Sequence, residues 1–324
     1  MARAIRMHTN GGPDVLRYEA VDPGQPTGSQ ALVRRTAIGL NFIDVYHRTG
    51  LYLAALPSGI GLEAAGAVEA LGPDVTDLKV GDRVAYAGGP LGAYADHRLI
   101  PADHLVRVPD GVDDRTAAAM MLKGMTAEYL LRRTITVEKG DAILVHAAAG
   151  GVGLILCQWA RALGATVIGT VSNRAKAELA KAHGCHYPLI TAEEDFVKRT
   201  RDLTGAKGVR VVYDSVGKDT FMRSLDCLAP RGLMALFGQS SGPVEPFNPG
   251  LLAAKGSLFL TRPTLMTYNA KRADLVASAA ALFDVVRAGK VRIEINQTYP
   301  LAEAATAHRD LEARKTTGST VLLP

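Results

Sequence analysis

The sequence has few residues that could tie it together covalently or hold a metal. Its 324 residues include three cysteines, Cys157, Cys185 and Cys227, far apart and in no C-x-x-C spacing. An odd, scattered set supports neither a disulfide framework nor a thiolate metal site, and it fits a reducing compartment. The eight histidines form no metal-spaced set, and no Gly-x-Ser-x-Gly nucleophile elbow occurs. No run of eighteen apolar residues is present, so no membrane-spanning helix is expected. The start, Met1-Ala-Arg-Ala-Ile-Arg6, lacks an apolar signal segment, and a soluble cytoplasmic protein is the expectation. Basic residues outnumber acids 37 to 32, with pI near 9.1, yet no five occur in a row. Such scattered charge reads as a solvated surface with a few cations for a phosphorylated cofactor rather than a nucleic-acid stripe. Internal repeats and low-complexity segments are also missing.

What is present is a chain long enough for two domains, with an ordinary balance of 48% hydrophobic and 21% charged residues. The rest is organised around residues 141–170. A short apolar run, 142–146, leads into Gly150, Gly151 and Gly153; residues 154–163 carry apolar side chains at helical spacing; Thr166-Val-Ile168 closes the unit with β-branched residues. This is a βαβ unit whose turn is a G-x-G-x-x-G pattern with Ala148 in first place. Gly150 lets the backbone approach a pyrophosphate, Gly153 lets helix and strand pack closely, and the free N–H groups opening the helix hold phosphate charge. Strand before and helix after are the context that gives this glycine pattern its meaning.

Around this unit the chain reads as two kinds of structure. Residues 1 to about 120 hold short β-branched segments, 15–21, 31–38, 65–71 and 83–87, between Gly, Pro and Asp. They predict a mainly antiparallel, barrel-like domain over 1–123. Residues 114–131 have helical periodicity, interrupted at Lys123-Gly-Met-Thr126. A doubly wound parallel (Rossmann) sheet is expected over 124–263, with further strands at 209–213 and 232–237 joined by a helix over 218–228. Ligands bind such a sheet outside the carboxyl ends of its strands, here Ser215-Val216-Gly217 and Phe237-Gly238. Residues 257–260 read as an exposed apolar strand that invites pairing with a second copy, so a homodimer is expected. Residues 264–324 offer a helix over 272–288, a strand over 291–295 and a second helix ending near Arg314, returning to the first domain. The fold class is α/β.

Several motifs in order carry a family resemblance: Asp141-x-x-Leu144 with Ala148-Ala-Gly-Gly-x-Gly153, Gln158 and Arg161, then Gly39-Leu-Asn-Phe-Ile-Asp44, Gly81-Asp-Arg-Val84, Tyr213-Asp-Ser-Val-Gly217 and Thr261-Arg-Pro263. Over nearly its whole length the chain resembles the quinone oxidoreductase and zeta-crystallin family, on the zinc-free side of the medium-chain dehydrogenases/reductases. The resemblance implies a GroES-like catalytic domain, NADPH as cofactor, and Ala148, Gly150, Gly151, Val152 and Gly153 beside its phosphates. It also places Tyr129 and Arg314 at the cofactor, although a tyrosine packs equally well and a helix-terminal arginine also suits the helix dipole.

In zinc-containing relatives the 39–66 region carries metal ligands. Asn41 stands at the cysteine position and Leu62 at the histidine position; the amide is a poor zinc ligand and leucine none. Glu63 is then expected to accept hydrogen bonds, and no metal is expected. The same stretch must face the nicotinamide in the zinc relatives, so Asn41, Tyr46 and Tyr52 are the expected catalytic residues. Asn41 would donate to a quinone oxygen; Tyr46 or Tyr52 would add a donor, relay a proton or pack the wall. At the end of the second strand, Val171 replaces the acid that binds a ribose 2′-hydroxyl, and Ser172 and Lys176 suit a 2′-phosphate. Close relatives have tyrosine where this chain has Thr191.

The function expected is NADPH-dependent reduction of quinones by hydride transfer. Without a Lewis acid, alcohol oxidation lacks several kcal/mol of transition-state stabilisation, whereas a conjugated acceptor delocalises the arriving charge. An enone or 2-alkenal reductase is the enzymatic alternative. A nucleotide-regulated RNA-binding protein is the other class, permitted by the pI and unsupported by any RNP-type motif.

Overall fold

A computed structural model describes the whole chain, residues 1–324. It divides into two compact units, one of Met1–Met125, Asn269–Arg287 and Ile293–Pro324, the other of Thr126–Tyr268 and Ala288–Arg292.

The first unit is built on β-sheet. The strand Gln30–Leu40 buries alternate residues, then everything from Ala37 to Leu40 as neighbours close over both faces. It pairs antiparallel with Glu63–Leu71, His97–Pro101 and Ser319–Leu323. Strands Arg83–Ala87, Val106–Arg107 and Ile295–Pro300 complete a seven-stranded sheet, and Leu16–Val21, Ala2–Met7 and Ser58–Gly59 form a second, of three strands. Ile5, Met7, Val33, Ile38, Tyr86, Tyr94, Ile100 and Leu322 pack into one core. The helix Ala304–Glu312 covers part of it through Ala304 and Ala307.

The second unit is a six-stranded parallel sheet in the order Tyr187–Ile190, Thr166–Val171, Ala142–Val145, Val209–Asp214, Leu228–Leu236, Phe259–Thr261. Numbered along the chain this is 3-2-1-4-5-6, so the order reverses between Ala142–Val145 and Val209–Asp214. Leu144, Ile168, Leu189, Val212, Phe221 and Met234 form its core. The outer strand, Phe259–Thr261, leaves Phe259 60% and Leu260 36% exposed.

Local details depart from the sequence reading. The helix Asp114–Tyr129 runs straight through Gly124, because a Cβ there would lie 2.4 Å from Leu282 Cδ1; the glycine serves helix packing and does not break the helix. The segment 218–228 yields only the helical turn Phe221–Ser224 and a 3₁₀ turn, Leu225–Cys227. Its first residues form a turn instead, where Thr220 Oγ1 donates to Asp214 Oδ2 at 2.8 Å. The late strand is Ile295–Pro300, set by pairing with Ser319–Leu323, while Val291 is simply buried.

Candidate functional site

After the strand Ala142–Val145, Ala147 takes a left-handed φ of 52° and Ala148 N–H donates to Thr170 O at 3.0 Å, which tucks the turn against the next strand. The helix Gly151–Ala162 follows with Gly150 as its N-cap and no side chain capping it. Its first-turn N–H groups are therefore offered to a ligand of negative charge. The two glycines differ in role. A Cβ on Gly153 would stand 2.3 Å from Ala147 O, so helix and turn could not close; on Gly150 the nearest atom would be 3.2 Å away, with nothing else near. Gly150 thus leaves open room where a pyrophosphate would approach, and the turn fits a dinucleotide.

The strand Thr166–Val171 ends on buried Val171, with exposed Ser172 after it. Asn173 caps the helix Arg174–Ala182 by accepting Lys176 N–H at 2.9 Å, so Lys176 lies in the first turn of that helix, four residues after Ser172. The strand's last residue, Val171, carries no carboxylate; Glu193 follows the neighbouring strand. Arg174 is 85% exposed on its side chain and 3.8 Å from Glu193, and Thr191 donates both its N–H and its hydroxyl to Val171 O.

Across the reversal point, Asp214 organises the next two strand ends. Its buried Oδ1 accepts Val216 N–H at 2.7 Å and Gly217 N–H at 3.0 Å, while its carbonyl accepts Phe237 N–H and Gly238 N–H. A Cβ on Gly238 would lie 2.7 Å from Ser215 O. Ser215, Val216, Phe237 and Gly238 are thereby brought together at the carboxyl edge of the sheet. The sequence reading named these four and missed Asp214 and Thr220, the residues that hold them. Tyr129 stacks on Tyr268 with centroids 4.4 Å apart and planes 13° apart, and burial raises its hydroxyl pKa.

In the first unit, Gly39 and Glu63 are cross-strand partners, and a Cβ on Gly39 would sit 2.2 Å from both Glu63 Oε2 and Ala118 O. The missing side chain leaves room for a buried carboxylate. Glu63 accepts Asn41 Nδ2 at 2.7 Å, Leu122 N–H at 2.7 Å and Lys123 Nζ at 3.2 Å. Asn41 also reaches Gly39 O, at a weak 3.4 Å. It is the N-cap of the helix Phe42–Thr49, and its N–H donates to Asp44 Oδ2 at 2.9 Å. Within that helix the Tyr46 ring packs against Phe42 and edge-on to Tyr52, 5.2 Å between centroids, and Gly50 ends it at φ 83°. Tyr46 and Tyr52 are thus together, while Asn41 stands at the start of the same helix with Glu63 bonded to its amide and Lys123 bonded to Glu63. Arg314 lies just past the helix Ala304–Glu312 with φ 59°, its N–H bonded to Leu311 O. No three His, Cys, Asp or Glu side chains approach one another in a way that could hold a metal ion.

Two family models match: residues 27–110 as "Alcohol dehydrogenase GroES-like domain" and residues 151–278 as "Zinc-binding dehydrogenase". A quinone oxidoreductase of Pseudomonas aeruginosa is 55% identical, with all of both chains covered. The chain belongs to the quinone oxidoreductase family. A 2-haloacrylate reductase of Burkholderia is 49% identical over all of this chain and 99% of its own. The crystal structure of Escherichia coli quinone oxidoreductase complexed with NADPH superposes with a TM-score of 0.98, at 48% identity and full coverage of both chains. The α/β fold, a GroES-like unit and a Rossmann-like parallel sheet, is that of the medium-chain dehydrogenases/reductases. No helix is long and apolar enough to cross a membrane.

Lys123 meets the charge of Glu63 across 3.2 Å. Lys123 was seen in the sequence only as part of a helix interruption. Its signal was weak: one lysine in an alanine- and methionine-rich helical stretch, beside the glycine that packs on Leu282.

Proposed function

We propose that the protein is a zinc-independent oxidoreductase that reduces quinones with NADPH. One observation carries the reading: an uncapped helix after a glycine turn, followed by a strand that ends on Val171, with Ser172 next and Lys176 in the first turn of the helix that follows. The helix suits a pyrophosphate, and a hydroxyl with a cation and no acid suits a 2′-phosphate. Bound there, NADPH would supply the hydride. Ala148, Gly150, Gly151, Val152 and Gly153 hold its phosphates; Ser215, Val216, Phe237, Gly238, Tyr129 and Arg314 contact the rest.

Asn41, Tyr46 and Tyr52 receive the acceptor. Asn41 keeps its short bond to Glu63 and exchanges the long contact to Gly39 O for the quinone oxygen. A donor fixed in this way stabilises an oxygen more as it gains charge, so it acts on the transition state. Leu62 has no lone pair, Asn41 is a poor ligand, and Glu63 is matched by the Lys123 ammonium, so nothing draws a zinc ion to this place. Quinone in the names of the Pseudomonas and Escherichia relatives supports the substrate class. The Burkholderia relative, named for an α,β-unsaturated acid, supports a second reading in which the acceptor is a smaller conjugated alkene. The exposed Phe259–Thr261 edge strand, open to pairing with a second copy, supports a homodimer. Three buried free thiols suit the reducing cytoplasm.

The deciding experiment is NADPH oxidation by stopped flow against quinones, enones and alcohols, on protein whose metal content has been measured. Fastest turnover with quinones in zinc-free protein is expected. Alcohol turnover that a chelator abolishes and zinc restores would overturn both the substrate class and the metal assignment.

A further inference from the structure

A chain of polar side chains crosses the apolar core of the first unit and ends on the helix that carries the acceptor residues. Asp44, Tyr94 and His308 are fully buried and Arg48 is nearly so. Tyr94 Oη donates to Asp44 Oδ2 at 2.9 Å and lies 3.2 Å from His308 Nε2; His308 Nδ1 lies 3.1 Å from Arg48 Nη1; Arg48 forms a two-pronged bond with Glu312 at 2.8 Å for each prong. The guanidinium can only donate, so His308 Nδ1 accepts and its proton sits on Nε2, which donates to Tyr94. From Arg48 through His308 and Tyr94 every bond then runs one way, toward Asp44, while Arg48 donates to Glu312 on its other side. Burial, and next the Arg48 charge, lowers the His308 pKa to about 3, so the ring is neutral throughout the working range.

This direction excludes a proton wire. If Asp44 gave up a proton and drew one through Tyr94 and His308, the imidazole would have to be refilled at Nδ1, and a guanidinium occupies that position. What remains is a clamp. Asp44 and Arg48 are both on the Phe42–Thr49 helix, one in its first turn and one in its last, and the chain fixes both against Tyr94 and the helix Ala304–Glu312. Asp44 Oδ2 takes two donors, Asn41 N–H and Tyr94 Oη–H, while Oδ1 is buried with no partner. Such a network costs stability compared with apolar side chains of the same size, which argues for a role other than holding the fold.

We propose that Tyr94 and His308 are positioning residues for the acceptor step: acting through Asp44, they set Asn41 and Tyr46, so turnover depends on whether Asp44 is ionised. The proposal rests on the assignment of Asn41 and Tyr46 to the acceptor. An ionised Asp44 holds both donors by charge-assisted bonds, roughly twice as strong as neutral ones. Protonation at the free Oδ1 weakens both and loosens the cap. Charged and titratable groups facing Asp44 are Tyr94, Lys123 and Glu63, with His308 behind Tyr94. Lys123 favours the ion and Glu63 opposes it; burial, the largest influence, raises the Asp44 pKa to about 7.

The test is Tyr94→Phe, which keeps the ring and removes the donor, beside His308→Leu and His308→Gln. Two quantities are measured: the pH profile of kcat with saturating quinone, and the Asp44 carboxyl titration by isotope-edited infrared spectroscopy without substrate. In Tyr94→Phe the acid limb and the infrared titration should both move up by roughly one pH unit, the worth of one hydrogen bond to a charged group, with NADPH affinity unchanged. His308→Leu should move them the same way by less, and His308→Gln, whose amide can still donate to Tyr94, should restore them. An unmoved infrared titration in Tyr94→Phe overturns the proposal whatever the enzyme reduces. A moved titration with an unmoved kcat profile overturns its link to turnover. A wild-type protein inactive on quinones refutes the acceptor assignment instead, and is recognised by that control.

Discussion

Removing the Glu63 carboxylate is the most informative single change in the first unit. Glu63 is fully buried and holds three donors, and one of these, Lys123, is itself buried with its ammonium 3.2 Å away. Glu63→Ala leaves that ammonium unpaired in the interior and removes the short hydrogen bonds that the Asn41 amide and Leu122 N–H make to Glu63. Removing one member of a buried ion pair costs about 3–5 kcal/mol, mostly the burden of the charge left behind. With a urea slope of about 2–3 kcal/mol/M, the midpoint should fall by roughly 1–2 M. If the orphaned charge is the cause, Lys123→Met added to Glu63→Ala should recover a large part of the loss, a coupling of about 2 kcal/mol or more. The sole tryptophan, Trp159, lies in the other unit, so its fluorescence is the wrong probe. Hydrogen exchange at the Leu122 amide reads the site directly. A Glu63→Ala loss under about 1 kcal/mol, or a double variant no more stable than the single, would refute an energetic pairing of Glu63 with Lys123.

Three further outcomes follow from the geometry. Lys176→Ala should weaken NADPH by roughly ten- to a hundred-fold, one charge-assisted contact, and leave NADH nearly unchanged in fluorescence titrations; equal losses for both would show that Lys176 does not read the 2′-phosphate. Gly153→Ala forces a Cβ to within 2.3 Å of Ala147 O, so cofactor binding should be lost by calorimetry, whereas Gly150→Ala, whose nearest atom is 3.2 Å away, should still fold and lose affinity through a blocked approach. Asp44 keeps its proton up to about pH 7 in the folded protein, whereas in the unfolded chain it ionises near its ordinary 3.8. The folded state therefore binds more protons between those values, and stability should fall as pH rises from about 4 to about 7, then level off; Asp44→Asn should flatten that slope in pH-dependent unfolding.

The cofactor half of the site was legible in the sequence because its parts are local. Ala148 to Gly153 are neighbours, their spacing fixes a turn between strand and helix, and the absent acid at Val171 is read at a single position. A parallel sheet also needs long apolar strands separated by helices, a pattern that survives in one dimension. The limits of the 218–228 helix were not legible, since they depend on whether Thr220 turns back to Asp214. Tertiary structure alone revealed the polar chain behind Asn41. Asp44, Tyr94, His308, Arg48 and Glu312 are bonded across separations of 50, 214, 260 and 264 residues, and no periodicity announces a polar chain through an apolar core. In the sequence His308 is one of eight histidines in no metal-spaced set, and Arg48 a surface-type residue in a polar and aromatic stretch. Their protonation and direction come from burial and from which atoms can only donate, and both are properties of the folded interior. Local backbone rules thus wrote the nucleotide turn into the sequence, while the packing of distant segments settled what stands beneath Asn41.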